Sequence, residues 1–211
     1  MLQALRNFIV RRTFAYKLRN KGMNMFSSFE NFKAIRKKAE ANRVAEGRKH
    51  EVLYFHKVDD PYSHLTVHYI EKFKNAYDIE FKPILVGDED PAALHEPSLY
   101  TDYCLEDVKR IAPYYGVDFP GANYPEKKLV NKANSILSSV SSEEFAPLAK
   151  IVSHALWSAD SAKLEELETT YKTSEEEVLE NLKKGNEIRN NCDYYFGSAF
   201  YYEKELYWGV D

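Results

Sequence analysis

Three side chains capable of acid–base chemistry lie within the five-residue segment Asp60-Pro61-Tyr62-Ser63-His64. A carboxylate in an apolar cleft, such as that of Asp60, can act as a general base that moves a substrate proton. A histidine with an ordinary pKa, as expected for His64, titrates near neutral pH, and Ser63 adds a hydroxyl group one helical turn after Asp60. Asp60, Ser63 and His64 are therefore the candidate catalytic residues.

Each candidate also has a purely structural interpretation. Asp60 followed by Pro61 is a favourable pair for the N-cap and the first position of a helix, and such a cap contributes about 1 kcal/mol. A serine in a first helical turn and a single histidine beside it are commonly structural or packing residues. Because His56, His64 and His68 are irregularly spaced and no cysteine joins them, no metal site is predicted.

The segment lies between a predicted strand and a predicted helix. Val52-Leu53-Tyr54-Phe55 is a short apolar run that ends at a polar turn, which indicates a buried strand. Apolar residues at helical spacing from Leu65 to Ala76 predict a helix, and residues 79–86 predict a second strand. A connection of this length predicts a right-handed parallel βαβ unit with the Asp60 turn at the beginning of its helix.

The middle of the chain has helical periodicity, and its end returns to strand character. Helices are expected at four places: residues 103–115, from Ser142 onward, 161–169 and 174–184. Gly185 is the predicted stop of the last helix. Residues 199–202 and 205–208 predict a hairpin. The predicted fold class is α/β, with an all-helical insertion over about residues 88–190 between the βαβ unit and the C-terminal β-hairpin.

Charge divides the chain into two parts. Residues 1–49 contain 13 lysines and arginines against three glutamates, whereas residues 50–211 contain 16 basic and 30 acidic side chains. We therefore predict a basic helical N-terminal arm, residues 1–49, ahead of an acidic globular domain, residues 50–211. No apolar run approaches the ~20 residues of a membrane-spanning helix, so no transmembrane segment is expected.

The basic arm has three interpretations. We favour a helical extension that packs on the domain or on a second subunit. The alternatives are a helix that binds an anionic surface, either lipid or nucleic acid, and an organelle transit peptide.

Two isolated cysteines restrict the redox chemistry. Cys104 and Cys192 are far apart and form no C-x-x-C pair. This usage is typical of a reducing compartment, so a cytoplasmic protein is expected, and it argues against a dithiol–disulfide oxidoreductase.

Several segments of the domain resemble a known family. The first strand and its turn, residues 52–55 and 60–65, are similar to those of the DsbA-like thioredoxin superfamily, most closely the 2-hydroxychromene-2-carboxylate isomerases and kappa-class glutathione transferases. Similar segments then follow in the family's order at Ser98-Leu99-Tyr100, residues 114–119, Ala155-Leu156-Trp157, residues 195–200 and residues 205–211. The resemblance covers about residues 51–211 and implies a thioredoxin-like fold.

The resemblance also implies glutathione as the cofactor and a binding site around the turn. The residues at matching or adjoining positions for glutathione and substrate are Tyr62, Tyr100, Ser198, Ala199 and Asp211. No metal is implied.

Two residues depart from the family's pattern. Asp60 stands where the isomerases and kappa transferases have a serine that activates glutathione, and where the disulfide oxidoreductases have a cysteine. Ala199 stands where nearly all relatives have a cis-proline, so a trans peptide is expected there. The family's final helix would follow Asp211, so a longer chain is expected, with a tandem arrangement as one alternative.

These observations leave two functional hypotheses. The first is an enzyme, a glutathione-linked isomerase or transferase that acts on a small aromatic or electrophilic compound. The second is a catalytically inactive thioredoxin-fold domain that binds a partner or serves a structural role in a longer protein. The expected partners are a second copy of the chain or a second domain.

Overall fold

The chain divides into two compact units, residues 1–49 and 50–211. The computed structural model describes residues 14–88, 93–94 and 96–210. Within these residues, no helix is both long enough and apolar enough to cross a membrane.

In the described part of the basic arm, residues 14–49, two helices are joined by a short turn. α1 spans Phe14–Phe26 and α2 spans Phe29–Ala45. Ser28 is the N-cap of α2, and its side chain accepts a hydrogen bond from the backbone N–H of Asn31.

The domain begins with the expected parallel βαβ unit. β1 spans Glu51–His56, and β2 spans Glu80–Leu85, paired in parallel along their whole length. The expected single helix between them is two helices, α3 over Pro61–Val67 and α4 over Ile70–Ala76. They are separated by a tight turn in which the backbone N–H of His68 bonds to the carbonyl of Leu65.

The C-terminal hairpin completes a mixed four-stranded sheet of order β2-β1-β3-β4. β3 spans Ala199–Tyr202 and pairs antiparallel with β1, and β4 spans Glu205–Trp208 and pairs antiparallel with β3. The two linking residues, Glu203 and Lys204, have φ angles of 46° and 71°. Positive φ at both central positions is the geometry of a tight type I′ hairpin turn.

Helices fill the insertion between β2 and β3. They are α5 over Pro97–Ile111, α6 over Lys127–Ser138, α7 over Ser142–Trp157, α8 over Ser161–Glu168 and α9 over Glu175–Asn191. The order of a βαβ unit, helical insertion and hairpin confirms the predicted fold class. α6 was not expected, although Leu129, Ala133 and Ile136 have helical spacing and are buried.

Gly185 does not end α9, so this prediction is wrong. The helix continues to Asn191, and Gly185 is buried within it against β2. A Cβ atom added at Gly185 would lie 1.8 Å from the carbonyl oxygen of Leu85. The glycine therefore allows close contact between helix and strand rather than a turn of the chain.

The main core lies between one face of the sheet and the insertion helices. Its large buried side chains include Tyr54, Phe81, Ile136, Phe145 and Leu156. A second cluster around Leu65 and Val108 joins α3 to α5, and a third around Phe55 and Ala199 lies on the opposite face of the sheet. These contacts hold the Asp60 turn between the sheet and the insertion.

Candidate functional site

Asp60 is the N-cap of α3, at the end of the loop that follows β1. Its Oδ1 accepts a hydrogen bond from the backbone N–H of Tyr62 at 3.3 Å. Its Oδ2 accepts two bonds from Ser63, one from the backbone N–H at 3.0 Å and one from the hydroxyl group at 2.8 Å. With Pro61 as the first helical residue, this is the predicted capping arrangement. The donors and the helix N-terminus both stabilise an ionised carboxylate.

Replacing Asp60 should separate its capping role from its charge. Asp60→Ala is expected to lower the free energy of unfolding by about 1 kcal/mol, because the first turn of α3 loses its acceptor. Asp60→Asn keeps an oxygen acceptor, and asparagine caps helices as well as aspartate does, so its loss should stay below about 0.5 kcal/mol. Urea denaturation of both variants measures the difference. Equal losses would mean that the charge, and not the cap, stabilises the turn.

Ser63 and His64 are fully buried but face different surroundings. Ser63 donates to Asp60, and its hydroxyl oxygen also lies 3.4 Å from the backbone N–H of Lys57. His64 Nε2 donates to the carbonyl of Asp118 at 2.8 Å, and its Nδ1 then accepts from the hydroxyl of Ser153 at 2.8 Å. The turn therefore brings Ser63 to Asp60, whereas His64 links α3 to the insertion.

Burial keeps His64 neutral. Loss of solvent lowers the pKa of its imidazole to about 4, and the bond to the Asp118 carbonyl opposes this shift only in part. A neutral ring with a proton on Nε2 agrees with both of its hydrogen bonds. His64 remains a predicted catalytic residue, but in this structure its two ring nitrogens are engaged with Asp118 and Ser153.

The loop before β3 packs against the carboxylate of Asp60. Gly197 is close enough that an added Cβ would lie 3.1 Å from Asp60 Oδ2 and 2.8 Å from the Cβ of Lys57. Gly197 was not predicted as a site residue, although a glycine just before a strand is a signal of close backbone approach. The next residue, Ser198, has a φ angle of 51° and bonds through its hydroxyl to Thr66 at 2.7 Å.

The backbone at Ser198 and Ala199 is already paired within the protein, so it is not an open edge for a ligand. The carbonyl of Ser198 accepts a hydrogen bond of 2.6 Å from the backbone N–H of Gly209. Ala199 is fully buried and pairs with Phe55, and no peptide bond of the described residues is cis, as expected for this position. Asp211, the last predicted binding residue, lies outside the described residues.

Aromatic rings form a wall beside the turn. The ring of Tyr62 lies 5.5 Å from that of Trp208, and Trp208 stacks on Phe196 at 5.9 Å. Phe196 in turn stacks on Tyr100 at 5.2 Å. The rings of Phe196 and Trp208 thus connect the predicted binding residues Tyr62 and Tyr100. Phe196 and Trp208 themselves were not predicted as binding residues.

Tyr62 is also tied to the insertion by its phenol group. The hydroxyl donates to Asp107 Oδ2 of α5 at 2.7 Å. Burial, followed by the bond to Asp107, raises the pKa of Tyr62 well above its ordinary value. The phenol is therefore protonated at neutral pH. Asp107 had no sequence signal that distinguished it from other surface acids.

Comparisons with known proteins identify the fold. No family model matches the chain, and no curated protein matches it. Among solved structures, 2-hydroxychromene-2-carboxylate isomerase matches with a TM-score of 0.52 at 17% identity, covering 75% of this chain and 88% of that one. A Nitrosomonas europaea protein provisionally assigned as a protein disulfide isomerase matches with a TM-score of 0.53 at 14% identity, covering 78% and 87%.

This chain has a thioredoxin-like fold with a helical insertion. The order of elements and the two structural matches confirm the thioredoxin-like fold with a helical insertion that the sequence predicts. At identities of 14% and 17%, the likeness shows the fold alone.

The two cysteines of this chain do not lie together as a thiol pair. Cys104 lies on α5 near Tyr62 and Tyr100, is 2% exposed, and its pKa is raised to about 11, mainly by burial. Cys192 belongs to the cluster on the opposite face of the sheet. Both are free thiols. Among the described residues, no group of three or more histidine, cysteine or acidic side chains could hold a metal ion.

The site is a poor fit for an activated glutathione thiol. Asp60 is an acceptor where a thiolate needs a donor, and two negative charges a few Å apart repel by ~1–4 kcal/mol, depending on the dielectric. The Ser198 carbonyl, which lies on the edge expected to pair with glutathione, is engaged by Gly209.

Proposed function

We propose that this chain is an isomerase or transferase for a small aromatic or electrophilic compound, with Asp60 in place of the usual nucleophile. The observation that carries the proposal is the position of the Asp60 carboxylate, at the N-terminus of α3 and beside the aromatic wall of Tyr62, Tyr100, Phe196 and Trp208. Aromatic side chains beside a few polar groups are typical of small-molecule sites.

In this proposal Asp60 accepts a proton from the substrate. An ionised carboxylate can serve as a general base, and the hydroxyl group of Ser63 holds Oδ2 in one orientation at 2.8 Å. Proton transfer within one substrate suits isomerisation and needs no thiol. Tyr62, kept protonated and oriented by Asp107, would line the substrate's binding surface.

A second candidate function is supported by the same hydrogen bonds. Tyr62 and Ser63 supply three donors that occupy Asp60 as a helix cap, and Gly209 occupies the carbonyl of Ser198. These contacts favour a thioredoxin-fold binding or structural domain without catalysis.

Glutathione binding tests whether the proposed isomerase or transferase depends on glutathione. Calorimetric titration with glutathione and with S-methylglutathione compares a ligand that can become a thiolate with one that cannot. At a pH of about 9.5, where most of the glutathione thiol is ionised in solution, we expect the wild-type chain to bind S-methylglutathione more tightly, because Asp60 repels the thiolate. Asp60→Asn removes the charge and keeps the cap, so it should strengthen glutathione binding by about tenfold or more.

Each outcome tests one part of the proposal: the role of Asp60, the dependence on glutathione, and catalysis itself. If Asp60→Asn weakens glutathione binding, the repulsive role assigned to Asp60 is wrong. If neither ligand gives heat or a thermal shift at millimolar concentration with either protein, the glutathione-linked form of the proposal is wrong. Exchange of solvent deuterium into an aromatic substrate, lost in Asp60→Asn, would then be the remaining support for proton-transfer catalysis.

A further inference from the structure

The basic arm carries large apolar side chains that its own helices do not cover. In α1, Leu18, Met23, Met25 and Phe26 are at least 60% exposed, and Phe29 at the start of α2 is 71% exposed. α2 has no buried residue. Single exposed apolar residues are ordinary, but a group this dense marks an interaction surface.

On α2 these side chains form a stripe. Phe29, Phe32 and Ile35 recur every three residues, which places them along one side of the helix. Phe32 and Ile35 are 42% and 45% exposed, so the stripe is open along its length. The basic residues Lys33 and Arg36 lie beside it. An apolar stripe with basic neighbours is typical of helices that lie in a membrane interface.

The sequence of the arm contains few acidic side chains. Residues 1–29 contain none, and Glu30 is the only one before Glu40. Glu40 pairs with Arg43 at 2.6 Å, and Glu46 pairs with Arg48 at 2.5 Å, both toward or beyond the end of α2. α1 and the first half of α2 are therefore strongly cationic as well as apolar.

We propose that the basic arm binds the surface of an anionic phospholipid membrane. Phe29, Phe32, Ile35 and the exposed side chains of α1 enter the boundary between headgroups and acyl chains, and the lysines and arginines contact lipid phosphates. A nucleic acid would use the positive charge but would leave the leucine, isoleucine and methionine side chains without a partner. The arm of a second copy carries the same charge and would be repelled.

Vesicle cosedimentation with the full chain tests this proposal. The probes are vesicles of phosphatidylcholine alone and vesicles in which a quarter of the lipid is phosphatidylglycerol. One variant, F29S/F32S, removes part of the stripe, and a second, K33Q/K37Q, removes two charges. Leu179→Ser is the matched control, because Leu179 on α9 is 62% exposed but belongs to the acidic domain.

We expect binding to the anionic vesicles only, about tenfold weaker in each double variant and unchanged in Leu179→Ser. Because α2 buries none of its residues, F29S/F32S should keep its helix content by circular dichroism; if it does not, K33Q/K37Q remains an independent test. Absent vesicle binding, undiminished binding by both double variants, or tighter binding to duplex DNA than to anionic vesicles would overturn the proposal. A dimer in sedimentation that F29S/F32S abolishes would overturn it too.

Discussion

Gly185→Ala is expected to lower the free energy of unfolding by roughly 3 kcal/mol or more, because the added methyl group has no room between α9 and β2. The new Cβ would lie 1.8 Å from the carbonyl oxygen of Leu85 and 3.0 Å from its carbonyl carbon. These are backbone atoms, so no side-chain rotation relieves the overlap. Either α9 moves away from β2 or the strand distorts, and both changes disturb the packing beneath the sheet.

Urea denaturation of Gly185→Ala and of Glu187→Ala measures this effect. Glu187 lies two residues later on α9 and is exposed, so its replacement should change the free energy of unfolding by less than about 0.5 kcal/mol. A loss below about 1 kcal/mol in Gly185→Ala would show that α9 and β2 are not in close contact.

Acidification is expected to destabilise the domain through two buried histidines. Burial lowers the pKa of His64 to about 4 and, with the charge of His64, that of His56 to about 3. In the unfolded chain both titrate near their ordinary value of 6.5. Between pH 6.5 and about 4 the unfolded state therefore binds more protons, so stability falls as the pH falls, by up to about 1.4 kcal/mol per pH unit for each histidine.

The free energy of unfolding measured in urea at several pH values, from about 7 down to about 5, gives this slope. His64→Gln should reduce it, and the remainder should come from His56 and His68, whose pKa values burial also lowers. A slope that His64→Gln does not reduce would mean that His64 is protonated or solvated in the folded chain.

The fold was largely predictable because its signals are local. The apolar run of β1, the Asp60–Pro61 cap and the hairpin at Glu203 are each encoded by a few adjacent residues. Gly185 was misinterpreted for the same reason. A glycine after a run of helical residues resembles a stop signal, and only the distant strand β2 shows why it is needed inside a helix.

The candidate site was predictable only in part, because its partners are distant in sequence. Asp60 and Ser63 could be paired from their spacing alone. Asp118 and Ser153, which engage His64, lie 54 and 89 residues away from it, and no pattern near His64 indicates them. Asp107 is similarly 45 residues from Tyr62.

The bonds of His64 and Tyr62 to the insertion have a consequence for motion. His64 of α3 bonds to Ser153 on α7 and to the carbonyl of Asp118. Tyr62 of α3 bonds to Asp107 on α5. An insertion held at three separate points cannot swing open as a hinged lid without breaking these hydrogen bonds. Asp60 is already partly exposed, so a ligand should reach it with side-chain rotations on the nanosecond scale rather than through the slower opening of a domain.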